Sequence, residues 1–195
     1  MATETTIQQD KRVLHTKESI KTALMRLMLE KDLAKITISQ ITEKASVNRT
    51  TFYLHYEKIS EIVDEIEEEF AQEISQSLEE FNLSDVFGSI YSIFSKLSSM
   101  LASSELRRAY IVYSSDSLNV TERLKTVIVE KALSAIINAY PTADVSALTY
   151  PLTFIAGGII DCYIKWVKDE SGEIPLDALI RELSTYTEYV LTNLK

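Results

Sequence analysis

Residues 37–58 read TISQITEKASVNRTTFYLHYEK. Two short helical patterns stand here with three residues between them. In the first, Ile38, Ile41 and Ala45 recur at the three- and four-residue spacing of one buried helical face. Ser46, Val47 and Asn48 interrupt that spacing. Asn48 is a good N-cap for the second helix, because its side-chain oxygen accepts a backbone N–H of the first turn. In the second pattern Phe52 and Tyr56 are four apart and are expected to face the core with Ile38, Ile41 and Val47. Arg49, Thr50, Tyr53 and His55 are left pointing outward. Two short helices joined by a tight turn, the second polar on its free side, form the helix-turn-helix pattern. A helix fits the DNA major groove, and its N-terminal side chains reach base edges there. The outward residue types suit DNA, since Arg pairs with guanine, Thr meets a thymine methyl or a phosphate, and Tyr offers a hydroxyl. Lys58 precedes the next helix, whose backbone N–H groups also favour phosphate. Lys11 and Arg12, at an expected flexible start, are placed to reach a neighbouring groove or backbone.

Outward from this stretch the chain reads as helical throughout. The periodicity predicts about nine segments, at 11–31, 37–45, 49–56, 60–81, 84–101, 104–113, 119 or 121 to about 138, 144–168 and 175–194. The expected class is all-α, and no strand-like alternation of useful length is present. Four glycines and three prolines are too few for a Rossmann, P-loop or β-sandwich reading. One cysteine excludes an intrachain disulfide, and with two histidines it makes no clustered zinc site. The start, MATETTIQQDKR, has no apolar leader, and the longest uncharged run, 145–160, falls short of the ~18 residues of a spanning helix. A cytoplasmic protein with no membrane partner is the expectation.

Charge is uneven. Residues 1–58 hold ten Lys/Arg against seven Asp/Glu, and the remaining 137 hold ten against twenty-two. A weakly basic head on an acidic body fits a polyanion-binding end, although ordinary surface variation gives the same numbers. Residues 59–81 carry nine acids and no base, the mark of a solvated helix face.

The string TISQITEKASVNRTTFYLHYEKISEI closely resembles the DNA-binding domain of TetR-family transcriptional regulators, over about residues 14–66. The run FIAGGIIDCYIKW, residues 154–166, resembles the Firmicutes-type C-terminal domain of that family. The resemblance implies an N-terminal three-helix DNA-binding domain at 1–58 and a helical ligand-binding and dimerisation domain at 59–195. It implies a homodimer on a palindromic double-stranded operator, in many members released by a small-molecule effector, and no cofactor. A repressor of that kind is the first expectation. An activator or co-activator working through a protein partner stays open, as does a helical binding protein whose DNA contacts have decayed. Carried over by position, Thr37 touches phosphate, Arg49, Thr50 and Thr51 open the recognition helix, Tyr53 and His55 contact the backbone, and Lys58 starts the next helix. The family usually has Gly in the turn where Ser46 stands. A non-Gly residue in a left-handed conformation costs about 1–2 kcal/mol, so a slightly different turn is expected.

In the C-terminal half, Leu148, Leu152, Ile155, Ile159, Cys162 and Trp166 form one stripe, widened by Pro151, Phe154, Gly158 and Val167. A helix this apolar is buried around much of its circumference. With Leu176, Leu179, Ile180, Leu183, Tyr186 and Val190 of the last helix it is expected to form a four-helix dimer bundle, unless both helices serve only the monomer core. The candidate interface is Leu152, Ile155, Gly158, Ile159, Cys162, Trp166, Leu179, Leu183 and Tyr186. Gly157 and Gly158 weaken a helix, which makes sense where another backbone approaches. Pro151 is expected to kink its helix beside a pocket. Candidate pocket residues are Tyr91, Phe94, Tyr110, Tyr113, Ile136, Tyr140, Tyr150 and Phe154, since buried tyrosines need hydroxyl partners that a polar ligand supplies; an ordinary aromatic core is the alternative. Cys162 reads as a buried small hydrophobe. No GxSxG, HExxH, P-loop or CxxC pattern is present, so an enzyme is not expected.

Overall fold

A computed structural model describes residues 4–79, 86–102, 110, 119–139, 141–142, 144–169 and 172–192. Its helices are α1 (Glu4–Met28), α2 (Ile38–Lys44), α3 (Arg49–Tyr53), α4 (Ile59–Glu79), α5 (Val86–Ala102), α6 (Asn119–Ala139), α7 (Val145–Lys168) and α8 (Leu176–Thr192), with a 3-10 turn at Leu33–Lys35. The all-α class holds. The helix expected at 104–113 lies outside the described residues, apart from Tyr110. α1 begins at Glu4 rather than at Lys11: nothing in TETTIQQDKR breaks a helix, and each residue added to a formed helix closes another hydrogen bond. Lys11 and Arg12 therefore sit inside a helix, not on a flexible start. α3 ends at Tyr53, three residues sooner than its periodicity allows.

Two compact units divide the chain, Met1–Glu68 and Glu69–Lys195. Sequence placed the division at 58/59. The first turns of α4 belong to the N-terminal unit because Glu65 is tied to α1. Lys17 Nζ meets the Glu65 carboxylate at 2.6 Å, and Lys21, only 3% exposed, lies 2.5 Å from Glu18 and 3.6 Å from Glu65. Lys17 also stands 5.2 Å over the Tyr56 ring. Burial alone pushes the Glu65 carboxyl up, but the hydrogen bond and charge of Lys17, the Tyr56 hydroxyl and the Lys21 charge together hold it below its ordinary value.

The N-terminal unit closes on one apolar core. α1 contributes Ile20, Ala23, Leu24, Leu27 and Met28, all buried at the expected three- and four-residue spacing. Ile41 of α2, Phe52 of α3 and Ile62 of α4 are fully buried. In the C-terminal unit α6 lies along α7, α5 along α8, and α7 touches α8. Tyr110 is fully buried with its ring edge-on to Phe70, 5.5 Å between centroids. Asp144 caps α7, its side chain accepting the Ser146 N–H at 3.0 Å. The helix then runs through Pro151 without the break its missing N–H invites. α7 is also the one helix among the described residues long and apolar enough to cross a membrane by length and composition.

Candidate nucleic-acid interface

The turn between α2 and α3 sets the site. Ala45 caps α2 in helical conformation and Ser46 follows at φ 56°. The Ser46 N–H donates to the Glu43 carbonyl at 3.1 Å and the Val47 N–H to the Thr42 carbonyl at 2.9 Å. These are the two bonds of a Schellman motif, which satisfies the last carbonyls of a helix through a left-handed residue, usually Gly. The expected change of turn did not occur. Serine takes the glycine conformation, because losing both bonds costs more than one strained residue. Replacing Ser46 with glycine is expected to raise stability by about 0.5–1 kcal/mol, the relieved strain being partly offset by the extra freedom of unfolded glycine. Urea unfolding followed by circular dichroism measures it; a loss of stability would contradict the strain assigned here.

Capping fixes both short helices. Thr37 forms a full capping box with Gln40: its hydroxyl accepts the Gln40 N–H at 3.4 Å, and its own N–H reaches Gln40 Oε1 at 3.1 Å. Asn48 Oδ1 accepts the Thr51 N–H at 2.6 Å. At α4 the Glu61 carboxylate accepts the Glu57 N–H at 2.7 Å, so the chain itself supplies an anion where a phosphate was expected. The inward pair is as the spacing required. Phe52 is 0% and Tyr56 3% exposed, their rings 6.0 Å apart. The other face is open: Arg49, Thr50 and Tyr53 are exposed, and Thr51 and His55 are half-buried. Leu54, 76% exposed, is an addition that periodicity did not single out. It lies just past the end of α3, where helical spacing no longer says which way a side chain points.

Among the ten Lys and Arg of residues 1–58, four form ion pairs, and Arg26 and Lys31 are among the six for which no ion pair is present among the described residues. Lys17, Lys21, Lys35 and Lys44 are paired with Glu65, Glu18, Asp32 and Glu30 respectively. Lys11, Arg12, Arg49 and Lys58 are exposed and form no ion pair among the described residues. These four were singled out from sequence, whereas Arg26 and Lys31 were not. Among the described residues no cluster of three or more His, Cys, Asp or Glu is placed to hold a metal.

This chain shares its fold with the TetR-family regulators. The likeness spans nearly the whole chain. A TetR-family regulator from Syntrophomonas wolfei str. Goettingen superposes with TM-score 0.71 at 18% identity, over 91% of this chain and 95% of that one. A TetR regulator from Streptococcus agalactiae 2603V gives 0.67 at 17%, over 93% and 98%. One from Rhodococcus sp. RHA1 gives 0.54 at 14%, over 95% and 100%. In sequence, the chain is 35% identical over 100 residues to YxbF of Bacillus subtilis (strain 168), described as an uncharacterised HTH-type transcriptional regulator. That match covers 48% of this chain and spans about a quarter, 26%, of the relative. No protein-family model matches the chain.

Within this TetR fold the described residues of the C-terminal unit line two partly open cavities of about 100 and 110 Å³. Of the candidate pocket residues, Phe94 lines both and Ile136 lines the second. The other candidates lie elsewhere. Tyr150 and Phe154 are 83% and 78% exposed. Tyr91 lies on the surface, its hydroxyl donating to Asp177 Oδ1 at 2.5 Å. That bond raises the Tyr91 phenol and, with Arg181 beside it, keeps the Asp177 carboxyl low. Tyr110 is consumed by packing on Phe70, and Tyr113 and Tyr140 lie outside the described residues. The candidate interface splits as well. Gly158, Cys162 and Tyr186 open onto an outer groove between α7 and α8, which Ile155, Ile159 and Leu183 also line. Leu152 and Leu179 instead face the cavities. The Trp166 indole N–H donates to the Ile174 carbonyl at 2.7 Å and so serves its own chain. Cys162 is exposed, not buried. Successive residues of a helix turn by about 100°, so Leu152 and Phe154 face nearly opposite ways, and only packing decides which is inside. Nothing among the described residues within 4 Å would meet a Cβ on Gly158, so no other described segment approaches its backbone.

Proposed function

We propose that this chain is a transcriptional regulator that binds duplex DNA as a homodimer, with α3 laid in the major groove. The observation that carries the reading is the open face of α3. Arg49, Thr50 and Tyr53 are held outward by a buried Phe52 and by caps at both motif helices. Arg49 on that face, and Lys11, Arg12 and Lys58 elsewhere in the N-terminal unit, are exposed and form no ion pair among the described residues. In this reading Arg49 reads a base edge, Thr51 supports the helix start, Thr37, Tyr53, His55 and Leu54 meet the sugar–phosphate wall, and Lys11, Arg12 and Lys58 neutralise phosphates. The partner copy packs on the outer face of α7 and α8, where Phe154, Tyr186 and Tyr189 are 78%, 67% and 70% exposed. Large apolar side chains clustered on a surface mark an association site, and a symmetric pairing of two helices per subunit makes a four-helix bundle. The two recognition helices then stand about 34–36 Å apart on a palindrome when competent for DNA. The working form is a cytoplasmic repressor that a small molecule in the body releases by favouring another spacing.

Fluorescence anisotropy against the duplex upstream of the protein's own gene tests this. Affinity is expected to fall steeply with added salt as phosphate counterions are released. Lys58→Ala is expected to weaken all sequences alike and to reduce the salt slope by about one unit. Salt-insensitive affinity, or a monomer at DNA-binding concentrations, removes the reading.

A further inference from the structure

The two cavities of the C-terminal unit share a wall. Leu78, Ile93, Phe94, Ile128 and Ile159 border both. Three helices cross the pair in register. α6 places Leu124 on the first cavity and Ile136 on the second, α7 places Ile164 and Leu152, and α8 places Leu179 and Leu191. The members of each pair are twelve residues apart, about 18 Å along a helix at ~1.5 Å per residue. The cavities therefore lie end to end along one axis.

We infer that they are two halves of one slot, pinched by Phe94 and Ile128, which takes a single unbranched aliphatic chain of medium length, such as a fatty acyl chain. The inference rests on the effector-binding reading of the body and names the effector's chemical class. The lining supports it. Among the described residues the first half is bounded by aliphatic side chains, Phe94, Ser98 and Tyr163. The Tyr163 hydroxyl donates to the Ser98 carbonyl at 3.4 Å, and in the second half the Thr187 hydroxyl donates to the Leu183 carbonyl at 2.7 Å. Lys131 also borders the second half, and its side chain is already engaged within the protein. These groups are already used, so a ligand rich in hydroxyls or charge would lose its water and gain little in return. Size selects further. An apolar cavity of ~150 Å³ holds benzene. Each half alone is smaller, whereas both together give room for about eight carbons by that ratio. A volume so small drawn out over such a length suits a chain better than a ring.

The test is calorimetric titration of the full-length protein with straight-chain carboxylates and 1-alkanols, from butyl to tetradecyl, below their micelle concentrations. Affinity is expected to rise about fourfold per methylene, reach its optimum near eight carbons and gain nothing beyond it, for acids and alcohols alike. Hexoses, amino acids and nucleotides are expected not to bind. Phe94→Ala widens the pinch and shifts the optimum to longer chains; Phe94→Leu, a milder change, shifts it the same way should the alanine variant fold poorly. Absence of saturable chain binding, tighter binding of a polar compound, or an optimum unmoved in folded Phe94 variants overturns the slot. DNA affinity is measured separately. A chain that binds without altering DNA affinity upholds the slot and counts against ligand release. DNA affinity that responds to a polar metabolite while chains fail to bind overturns the slot and leaves ligand release standing.

Discussion

Phe52→Ala is expected to destabilise the N-terminal unit by about 3–5 kcal/mol, the cost of truncating a buried phenylalanine in a core that relaxes only in part. Phe52 is fully buried, with its ring 5.5 Å from that of Tyr53 and 6.0 Å from that of Tyr56. α3 is only five residues long, too short to persist without tertiary packing. The lost ring is therefore expected to release the helix as well as open a cavity. A loss of that size is a large fraction of a domain's stability. Urea unfolding followed by far-ultraviolet circular dichroism measures it. Trp166, the chain's single tryptophan, lies in the other unit and reports whether the body stays folded. A destabilisation below about 1 kcal/mol would mean that Phe52 does not anchor the helix.

Arg49→Ala is expected to weaken binding to the cognate site by about 1–3 kcal/mol, roughly 5- to 150-fold, and to relax preference at one base pair. The side chain is exposed at the first position of α3 and forms no ion pair among the described residues, so its removal leaves no orphaned partner and little folding cost. Competition against random duplex separates the two roles open to it. A base-reading arginine loses more on the cognate site than on random DNA, whereas a phosphate-binding one loses the same on both. Equal losses would return Arg49 to the phosphate group with Lys58.

The three caps show how local chemistry is readable. Thr37, Asn48 and Asp144 all bond to backbone N–H groups at their helix starts, and of the three Asn48 was read as an N-cap from its residue type. Those bonds depend only on residues two or three positions away, so sequence spacing contains the whole cause. Phe52 and Tyr56 were equally legible, because a short helix polar on one side has one direction left for its rings. Ser46 was only half legible: the cost of a left-handed serine is local, but the two hydrogen bonds that outweigh it belong to the formed turn.

α7 marks the limit. It is apolar around most of its circumference, so periodicity could not say that Leu152 faces inward and Phe154 outward. The same holds for Lys21, which is buried with its ammonium 3.6 Å from Glu65, forty-four residues away. The sequence by itself determined the helical class, the helix-turn-helix and the outward face of α3, since these follow from spacing, capping and the polarity of near neighbours. Only the tertiary structure decided which side of α7 lines a cavity, which tyrosines reach the surface and where the first unit ends. Those depend on which helix covers which face, and that choice is made by packing between residues far apart in the chain.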